Sequence, residues 1–518
     1  MLPPPVLFRN AVAAASAIVE AGNAVLCSGW VTALQFHGIY LALLLGTLWI
    51  LAGKARQREL QRQRRRALGR RGGAPAGAPA KHGSCSLASL AAQQEAGATR
   101  LPHVTVVLPV RGCRSHSVAN WRAMLNLDYG GSLEFLFVLE DKSDPAHAAI
   151  SALIREVAAE GPAGGRATRI HAAGGAERTS QKIHNLLAGI RQASPEAAYL
   201  LCLDDDVLLH PGLLAALVRD MEADPSLFMA TGYPFDIPAD DSSLLSYCAL
   251  SYHLPLIVPF SVKERTEFVW GGCMLFRAAE MRRDARGILR AWSDGGYSDD
   301  LTVASCCTEQ GLTIYCPGYS IFPQWLDADY PPRRWWNYLR RQLCVMDTYS
   351  NSHNRRTNHG LAAFHAYASW GVVLPATTVL LRLALWALAT LLLPTQQVYG
   401  GPGGSSYIWL RLFGFDRCSW ALASLVSFSL SIAYLMLSLA WMTNTVLDLF
   451  CTLNPVLKRR QMETFCWPKL WLGFYLNNAV IPLCIAYTFL TRHIDWSGIR
   501  YWRQRGKVVR VQHSYAAG

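Results

Sequence analysis

Three consecutive carboxylates, Asp204, Asp205 and Asp206, follow the apolar run of residues 200–203. Negative charges at the end of a buried strand repel one another, so something must compensate them. Asp204 and Asp206 have the spacing of a D-x-D pair, whose carboxylate oxygens hold a hard divalent cation that also takes phosphate. The alternative is a turn or helix N-cap before residues 211–218, because Asp is favoured at both. The spacing therefore predicts Mn²⁺ or Mg²⁺ at Asp204 and Asp206, with capping left open.

A second acidic pair, Asp299 and Asp300, stands at the head of an apolar segment that is typical of a helix. An N-cap pair is the structural alternative. If two carboxylates share a dry site, one has a raised proton affinity and can accept a proton from a hydroxyl group. The pair is therefore a candidate general base.

Short apolar runs alternate with amphipathic stretches between residues 102 and 350. Bounded by turn residues, the apolar runs predict buried strands at residues 103–110, 133–140, 167–173 and 197–204. This alternation predicts an α/β fold with a mostly parallel sheet covered on both faces. Ligands of such sheets lie beyond the carboxyl ends of the strands. Residues 109–112, 140–144 and 204–206 all fall at that edge.

Several short motifs follow one another in a defined order along this region. They are EDKSDPA with Asp141 and Asp144, QKIHNLLAG with Lys182 and Asn185, LDDDV with Asp204 and Asp206, FVWGGCMLFRAAE with Gly271, Gly272 and Arg277, and GGYSDDLTVA with Asp299 and Asp300. The ordered set resembles ceramide glucosyltransferases, membrane enzymes with a GT-A (Rossmann-like) glycosyltransferase domain. The resemblance covers residues 102–350 well and the flanks by layout only. His184 departs from it, because the family usually has Asn there.

The resemblance implies roles for the matched residues. Asp141 would contact the uracil or ribose of UDP-glucose, although alone it is equally a turn residue before Pro145. Lys182 would neutralise phosphate charge, although a solvated lysine is the commoner fate. Asp300 would be the general base, with Asp299 as the alternative. The remaining substrate-binding candidates are Asp144, Asn185, Gly271, Gly272 and His253.

The family's (Q/R)-x-x-R-W element matches residues 331–349 imperfectly. The best register places Asn337 first and then Arg340 and Arg341, with Arg in place of Trp. Arg340 and Arg341 would stabilise the departing diphosphate and count as catalytic candidates. The alternative is an amphipathic helix lying on the membrane.

Residues 31–53 form an apolar run long enough to cross a hydrocarbon layer of about 30 Å. Residues 54–71 follow with nine basic residues and one acid, which by the positive-inside rule face the cytosol. No basic region directly precedes the apolar run, so a signal anchor fits better than a cleavable signal peptide. The basic run either binds anionic lipid or is a solvated linker.

Three more apolar segments follow the catalytic region, at residues 370–393, 421–442 and 469–490. Three full spans would put the basic tail of residues 493–518 in the lumen, against the positive-inside rule. Because Asn477, Asn478 and Pro482 interrupt the last segment, we expect a re-entrant or interfacial helix there. The predicted regions are an anchor region (1–53), a basic low-complexity linker (54–101), the catalytic domain (102–350), membrane helices (351–492) and the tail (493–518).

Composition supports a chain that is part membrane and part globular: it has 518 residues, 51% hydrophobic and 16% charged, with a formal charge of +13. The basic residues crowd beside apolar segments, which favours membrane lipids over nucleic acid as the partner. The 14 Cys show no repeated metal spacing and favour reduced thiols on a cytosolic side.

The resulting expectation is inverting transfer of glucose from UDP-glucose to ceramide, at the Golgi or endoplasmic reticulum, with the catalytic domain in the cytosol. The rival enzymes are polysaccharide synthases and polyprenyl-phosphate sugar transferases. A non-catalytic membrane scaffold, whose acidic clusters would be caps only, represents a different class. A transporter is disfavoured because the apparent spans contain few charges, Arg382 being the exception.

Overall fold

The computed structural model describes residues 6–71, 100–160, 166–393 and 419–513. The chain divides into two compact units. One comprises Met1–Ile50, Phe364–Trp441 and Asn478–Pro482, and the other comprises Leu51–Ala363, Met442–Asn477 and Leu483–Gly518. The cysteines within the described ranges are free thiols. The helices are α1 Val6–Leu26, α2 Gly29–Arg71, α3 Ser117–Leu125, α4 Pro145–Ala159, α5 Gln181–Gln192, α6 Leu213–Ala223, α7 Leu244–His253, α8 Ala278–Arg283, α9 Ile288–Ser293, α10 Asp299–Glu309, α11 Pro332–Cys344, α12 Ser352–Leu392, α13 Ser419–Leu453, α14 Arg459–Met462 and α15 Trp467–Leu490.

An eight-stranded sheet forms the centre of the second unit, with strand order β3-β2-β1-β4-β8-β5-β9-β7. Strands β3, β2, β1 and β4 are parallel neighbours, as are β5 and β9, whereas β8 and β7 run antiparallel to their neighbours. The predicted α/β fold with a mostly parallel sheet is confirmed. The strands are β1 Leu101–Pro109, β2 Gly131–Leu139, β3 Arg166–Ala172, β4 Tyr199–Leu203, β5 Leu227–Thr231, β6 Tyr233–Ile237, β7 Arg265–Thr266, β8 Cys273–Arg277, β9 Thr313–Tyr315, β10 Ile321–Trp325, β11 His493–Trp496, β12 Ile499–Gln504 and β13 Lys507–His513.

The central strands are buried on both faces, as apolar side chains at consecutive positions require. All residues of β4 are buried, and so are those of β1 from Val104 onward. Helix α5 covers one face with Ile183, Leu186 and Ile190, which recur at helical spacing and join the core around Val107. A Cβ at Gly189 would lie 2.3 Å from the Val107 side chain, so the glycine lets the helix approach the sheet closely.

The carboxyl ends of the parallel strands meet at one edge of the sheet. Val107 pairs with Cys202, and Pro109 pairs with Val138, so β1, β2 and β4 end almost level. A two-stranded parallel sheet of β6 and β10 brings Asp236 beside Gln324. These strand pairings bring together polar residues that are far apart in the sequence.

The C-terminal residues predicted as a basic tail form a three-stranded antiparallel sheet of β11, β12 and β13. Two-residue turns join the strands, with positive φ at Ser497 and Gly498 and again at Arg505 and Gly506. Two consecutive residues of positive φ are typical of the tight hairpin turns that match strand twist. The tail is therefore a folded part of the second unit.

Four helices are long and apolar enough to cross a membrane, judged by length and composition over the described ranges: Gly29–Arg66, Ser352–Leu392, Leu422–Leu453 and Arg459–Leu490. They overlap the four segments predicted from the sequence, and in two cases the predicted segment extends one residue further. Apolar helices therefore precede and follow the sheet in the sequence. Residues 54–71, predicted as linker, continue α2, while residues 72–99 lie outside the described ranges. Helix α15 runs unbroken through Pro482, so the expected interruption is absent from it, and its path through a bilayer stays a prediction.

Candidate active site

Lys182 connects two acidic groups that the sequence separates by almost 100 positions. Its Nζ lies 2.8 Å from Oδ1 of Asp204 and 3.0 Å from Oδ2 of Asp299, and it donates to the Gly271 carbonyl at 3.3 Å. Burial would lower the pKa of Lys182, but the two carboxylates outweigh it and raise that pKa. The structure thus brings together four predicted site residues from α5, β4, α10 and the loop before β8.

The two glycines of the FVWGGC motif allow this close approach. A Cβ at Gly271 would lie 2.6 Å from Oδ2 of Asp299, and one at Gly272 would lie 2.1 Å from the Trp270 ring. The Gly272 carbonyl accepts from the Asp204 amide at 3.0 Å. A side chain at Gly271 would displace Asp299, and one at Gly272 would displace the Trp270 ring, which explains why glycine stands at both positions.

Asp300 lies in the first turn of α10 and is held by three hydrogen bonds. Its Oδ1 accepts from the Ser298 hydroxyl at 2.6 Å and from the Leu301 amide at 2.8 Å, while its Oδ2 accepts from the Gly271 amide at 3.3 Å. Burial and the neighbouring Asp299 raise the pKa of Asp300. The N-cap residue of α10 is Ser298, so neither acid of the pair is the cap. A half-buried, fixed carboxyl of raised pKa has the properties of a general base.

Two cations compensate the charges of residues 204–206. Lys182 pairs with Asp204, and Nη1 of Arg114 lies 3.0 Å from Oδ2 of Asp206, which also accepts from the Gln324 amide group at 3.3 Å. Even so, burial and the adjacent carboxylates raise the pKa of Asp204 to about 6 and that of Asp205 well above its ordinary value. Negative charge therefore remains in excess at this strand end.

Asp204 and Asp206 are the residues that would hold a divalent cation. Within the described ranges, no group of three or more His, Cys, Asp or Glu side chains is arranged to hold a metal ion. Asp204 and Asp206 supply hard carboxylate oxygens, and the raised pKa of Asp204 marks that carboxyl as under-compensated. Helix α6 begins after Gly212, which is its N-cap residue, so the three acids do not cap it. The pair fits a Mn²⁺ or Mg²⁺ ion whose other ligands are water and phosphate.

The predicted residues after β2 and in α5 frame the edge of the sheet. Asp144 caps α4 through the Ala146 amide at 2.8 Å and accepts from Gly112 at 3.0 Å, so it ties this loop to the end of β1. Asp141 is exposed and accepts from Ser143 within a turn. Asn185 donates to the Val138 carbonyl at 3.1 Å and accepts from Gln181 at 2.8 Å. Roles of these residues in substrate binding stay predictions.

His253 belongs to a second polar group. Its Nδ1 lies 2.7 Å from Oδ2 of the buried Asp236, and its Nε2 lies 3.4 Å from the Tyr338 hydroxyl. Asp236 is next to Gln324 in the β6–β10 pairing, and Gln324 reaches Asp206. The pairing of β6 with β10 therefore places the His253–Asp236 pair and the acidic cluster's partner Gln324 on neighbouring strands.

The two arginines of α11 differ in their contacts. Arg340 is buried and donates to Thr491 at 3.2 Å and to the His493 carbonyl at 3.0 Å. Arg341 lies with its guanidinium carbon 5.1 Å from the Trp496 ring centroid. These contacts hold α11 against β11 and the end of α15. The described hydrogen bonds do not bring Arg340 to the acidic cluster, and a role for either arginine at a diphosphate stays a prediction.

Several residues of the site were not predicted from the sequence. Arg114 follows β1 at the predicted ligand edge, which was a usable signal. Gln324 and Asp236 lie in no motif, and only the pairing of folded strands places them here. Ser298 lies within the GGYSDDLTVA motif, where a serine before two acids was a usable signal for a helix N-cap.

Comparison with known proteins gives a family match for part of the chain. Residues 78–288 match glycosyl transferase family 21, whereas a comparison with curated proteins returned no match. Similar solved structures include the mannosyltransferase PcManGT from Pyrobaculum calidifontis in complex with GDP-Man and Mn2+, at 14% identity and TM-score 0.37, covering 79% of this chain and 97% of that chain. Another is glucosyl-3-phosphoglycerate synthase from Mycobacterium tuberculosis in complex with Mn2+ and UDP-Glc, at 10% identity and TM-score 0.29, covering 51% and 83%.

TM-scores below 0.5 assign neither a fold nor an activity, so support for the class comes from the family match, which spans less than half of the chain. Together with the α/β fold and the apolar helices, it supports a membrane glycosyltransferase whose reaction is sugar transfer.

Proposed function

We propose that the protein transfers glucose from UDP-glucose to the primary hydroxyl of ceramide, giving β-glucosylceramide and UDP. The observation that carries the proposal is the Lys182 bridge between Asp204 and Asp299, because it joins the predicted phosphate side of the site to the acidic pair that contains the predicted base, Asp300. The match to glycosyl transferase family 21 supports sugar transfer. The motif order, which resembles ceramide glucosyltransferases, supports the choice of donor and acceptor.

The reaction is a single in-line displacement. Asp300 accepts the proton of the acceptor hydroxyl while that oxygen attacks the anomeric carbon of glucose. The bond from this carbon to the diphosphate oxygen breaks, and UDP leaves with the electron pair. One displacement inverts the configuration and needs no covalent sugar intermediate. Asp299 is the alternative base, and its ion pair with Lys182 favours a charged, positioning role for it.

Asp204 and Asp206 would hold a Mn²⁺ or Mg²⁺ ion in this mechanism. When bound, the ion offsets the negative charge of the diphosphate. Lys182 supplies a further positive charge at the same edge and fixes the distance between the two acidic groups.

The acceptor would approach from the bilayer. His253 lies in α7, within the apolar helical stretch Leu244–Ile257, which supports contact between this region and a lipid. The basic residues after the first apolar run support a cytosolic catalytic domain. We place the enzyme at the Golgi or the endoplasmic reticulum on the resemblance alone.

The test is transfer of labelled glucose from UDP-glucose to ceramide by the full chain in nanodiscs. The variants are Asp300→Asn and the double variant Asp204→Asn with Asp206→Asn. The matched control is Asp224→Asn, which changes an exposed turn carboxylate paired with Arg265. Expected are transfer by wild type and control, loss of transfer with retained UDP binding in Asp300→Asn, and loss of metal-dependent UDP binding in the double variant.

Two other results would change the proposal. UDP binding by a folded wild type without transfer to ceramide would reject ceramide and direct the search to sterols, polyprenyl phosphates and polymer ends. No UDP binding with either metal would reject the donor class and favour a membrane scaffold.

A further inference from the structure

The C-terminal sheet of β11, β12 and β13 lies against the loops that carry the candidate active site. Its inner face contributes Ile494, Ile499, Tyr501 and Val508 to a small core that also contains Tyr297. Because Tyr297 comes directly before Ser298 and the acidic pair, this core continues into the segment that leads to the predicted base.

The sheet fixes the path of residues 294–297. The Val508 amide donates to the Gly295 carbonyl at 2.8 Å, and Lys507 forms an ion pair with Asp294. Gly295 has φ of +77°, and a Cβ there would lie 2.7 Å from the Lys507 Cβ. The contact is therefore close enough to need glycine.

The same sheet also reaches the start of α5. The buried Tyr501 hydroxyl accepts from the backbone amide of Gln181 at 3.2 Å. This amide is the first in the helix and has no partner within the helix itself. Lys182, which bridges Asp204 and Asp299, is the next residue. Tyr501 is thus one residue away from the cation at the centre of the site.

A third contact reaches the loops after β2 and β3. The His513 Nε2 lies 2.8 Å from the Ala176 carbonyl oxygen, and its Nδ1 lies 2.7 Å from Oε1 of Glu140. Glu140 also pairs with Arg111 after β1 and immediately precedes Asp141. Three separate loops at the ligand edge of the sheet therefore depend on residues from the C-terminus.

We propose that this C-terminal sheet is a positioning element of the nucleotide-sugar site, and that Tyr501 is the positioning residue that holds the first turn of α5 with Lys182. The inference rests on the proposed function, because it assigns the site a nucleotide sugar. Tyr501 does not touch the reacting atoms and acts through the Gln181 backbone. A purely structural tyrosine would change the stability of the fold and leave UDP affinity unchanged.

The test compares Tyr501→Phe with the matched control Tyr129→Phe. Both substitutions keep a buried ring and remove a hydroxyl that makes one hydrogen bond. The Tyr129 hydroxyl donates to the Pro102 carbonyl at the opposite, amino-terminal edge of the sheet. UDP affinity is measured by calorimetry with Mn²⁺ in detergent, alongside the thermal unfolding temperature and the KM values for UDP-glucose and acceptor.

In Tyr501→Phe we expect UDP affinity to fall about two- to ten-fold, the effect of one lost hydrogen bond. KM for UDP-glucose should rise similarly while KM for the acceptor stays the same, and Tyr129→Phe should change neither. Equal UDP affinity in Tyr501→Phe and wild type would overturn the positioning role and leave the proposed function standing. A wild type that does not bind UDP would refute the proposed function, and this inference with it.

Discussion

Replacing Ser298 by Ala should move the pH dependence of transfer without changing its maximum. The Ser298 hydroxyl donates to Oδ1 of Asp300 at 2.6 Å and favours the charged carboxylate. Removing it should therefore raise the pKa of Asp300 further above its ordinary value. Because the base must be deprotonated, the acidic limb of kcat/KM should move to higher pH.

The size of the shift follows from the remaining contacts. A hydrogen bond to a charged group contributes about 1.5–3 kcal/mol, and about 1.4 kcal/mol corresponds to one pKa unit. The Leu301 amide still donates to the same oxygen at 2.8 Å, so we expect the lower end, a shift of about one unit. Ser298→Ala should then be about ten-fold slower than wild type on the acidic limb and equal to it on the plateau.

The assay is kcat/KM for UDP-glucose between pH 4.5 and 8.5, roughly the range in which a raised aspartate titrates. Ser298 also caps α10 through the Leu301 amide at 3.2 Å, so its loss costs about 1 kcal/mol of stability. Asn351→Ala is the matched control, since Asn351 accepts from the Asn354 amide at 2.8 Å at the start of α12. If the acidic limb of kcat/KM does not move in Ser298→Ala while both variants lose similar stability, Asp300 is not the base. A shift of this limb to lower pH would refute the expected rise in the pKa of Asp300.

Three further changes test the packing around the site. Lys182→Met should lower the unfolding temperature and abolish transfer, because it leaves the buried Asp299 and the half-buried Asp204 without their shared cation at a cost of about 3 kcal/mol, while Lys182→Arg should retain more stability. Gly271→Ala should reduce transfer at least about ten-fold by displacing Asp299, whereas Gly360→Ala, in open space on a helix, should leave transfer unchanged and stabilise by about 0.5–1 kcal/mol. Arg503→Met should cost about 1–3 kcal/mol in denaturation measurements, because the Thr488 and Thr491 carbonyls lose the guanidinium that donates to them.

The sequence located the central strands within two residues of their observed bounds. These strands are apolar at consecutive positions and bounded by turn residues, so a local pattern is enough to find them. The same alternation of strands and helices placed residues 204–206 at the ligand edge. Their convergence with Asp299 could not be read locally, because it depends on an antiparallel β8 inserted between β4 and β5.

The C-terminal sheet was not predicted, because a charged residue interrupts the alternation of apolar and polar residues in β12. Ile499 and Tyr501 alternate with exposed residues as in a strand with one buried face, but Arg503 occupies the next inward position. Its guanidinium is buried against Asp347 and backbone carbonyls, which local sequence does not reveal. The Ser-Gly and Arg-Gly pairs between the strands were usable turn signals. Arg340 was predicted as a catalytic candidate from its position in a motif. Its hydrogen-bond partners, Thr491 and His493, are about 150 positions away in the sequence, so these contacts could not be predicted locally.

At the proposed donor site, the charge balance of the ligand edge should make nucleotide-sugar binding depend on a divalent cation. Residues 204–206 and the pair Asp299 and Asp300 are five carboxyl groups, and the cations that contact them are Lys182 and Arg114. A diphosphate brings further negative charge, so it would be repelled by this edge as it stands. A divalent cation reverses the sign of the interaction, because it is attracted by the excess carboxylates and then attracts phosphate. Donor binding should therefore depend on the cation more steeply than it would at a site lined by arginines alone.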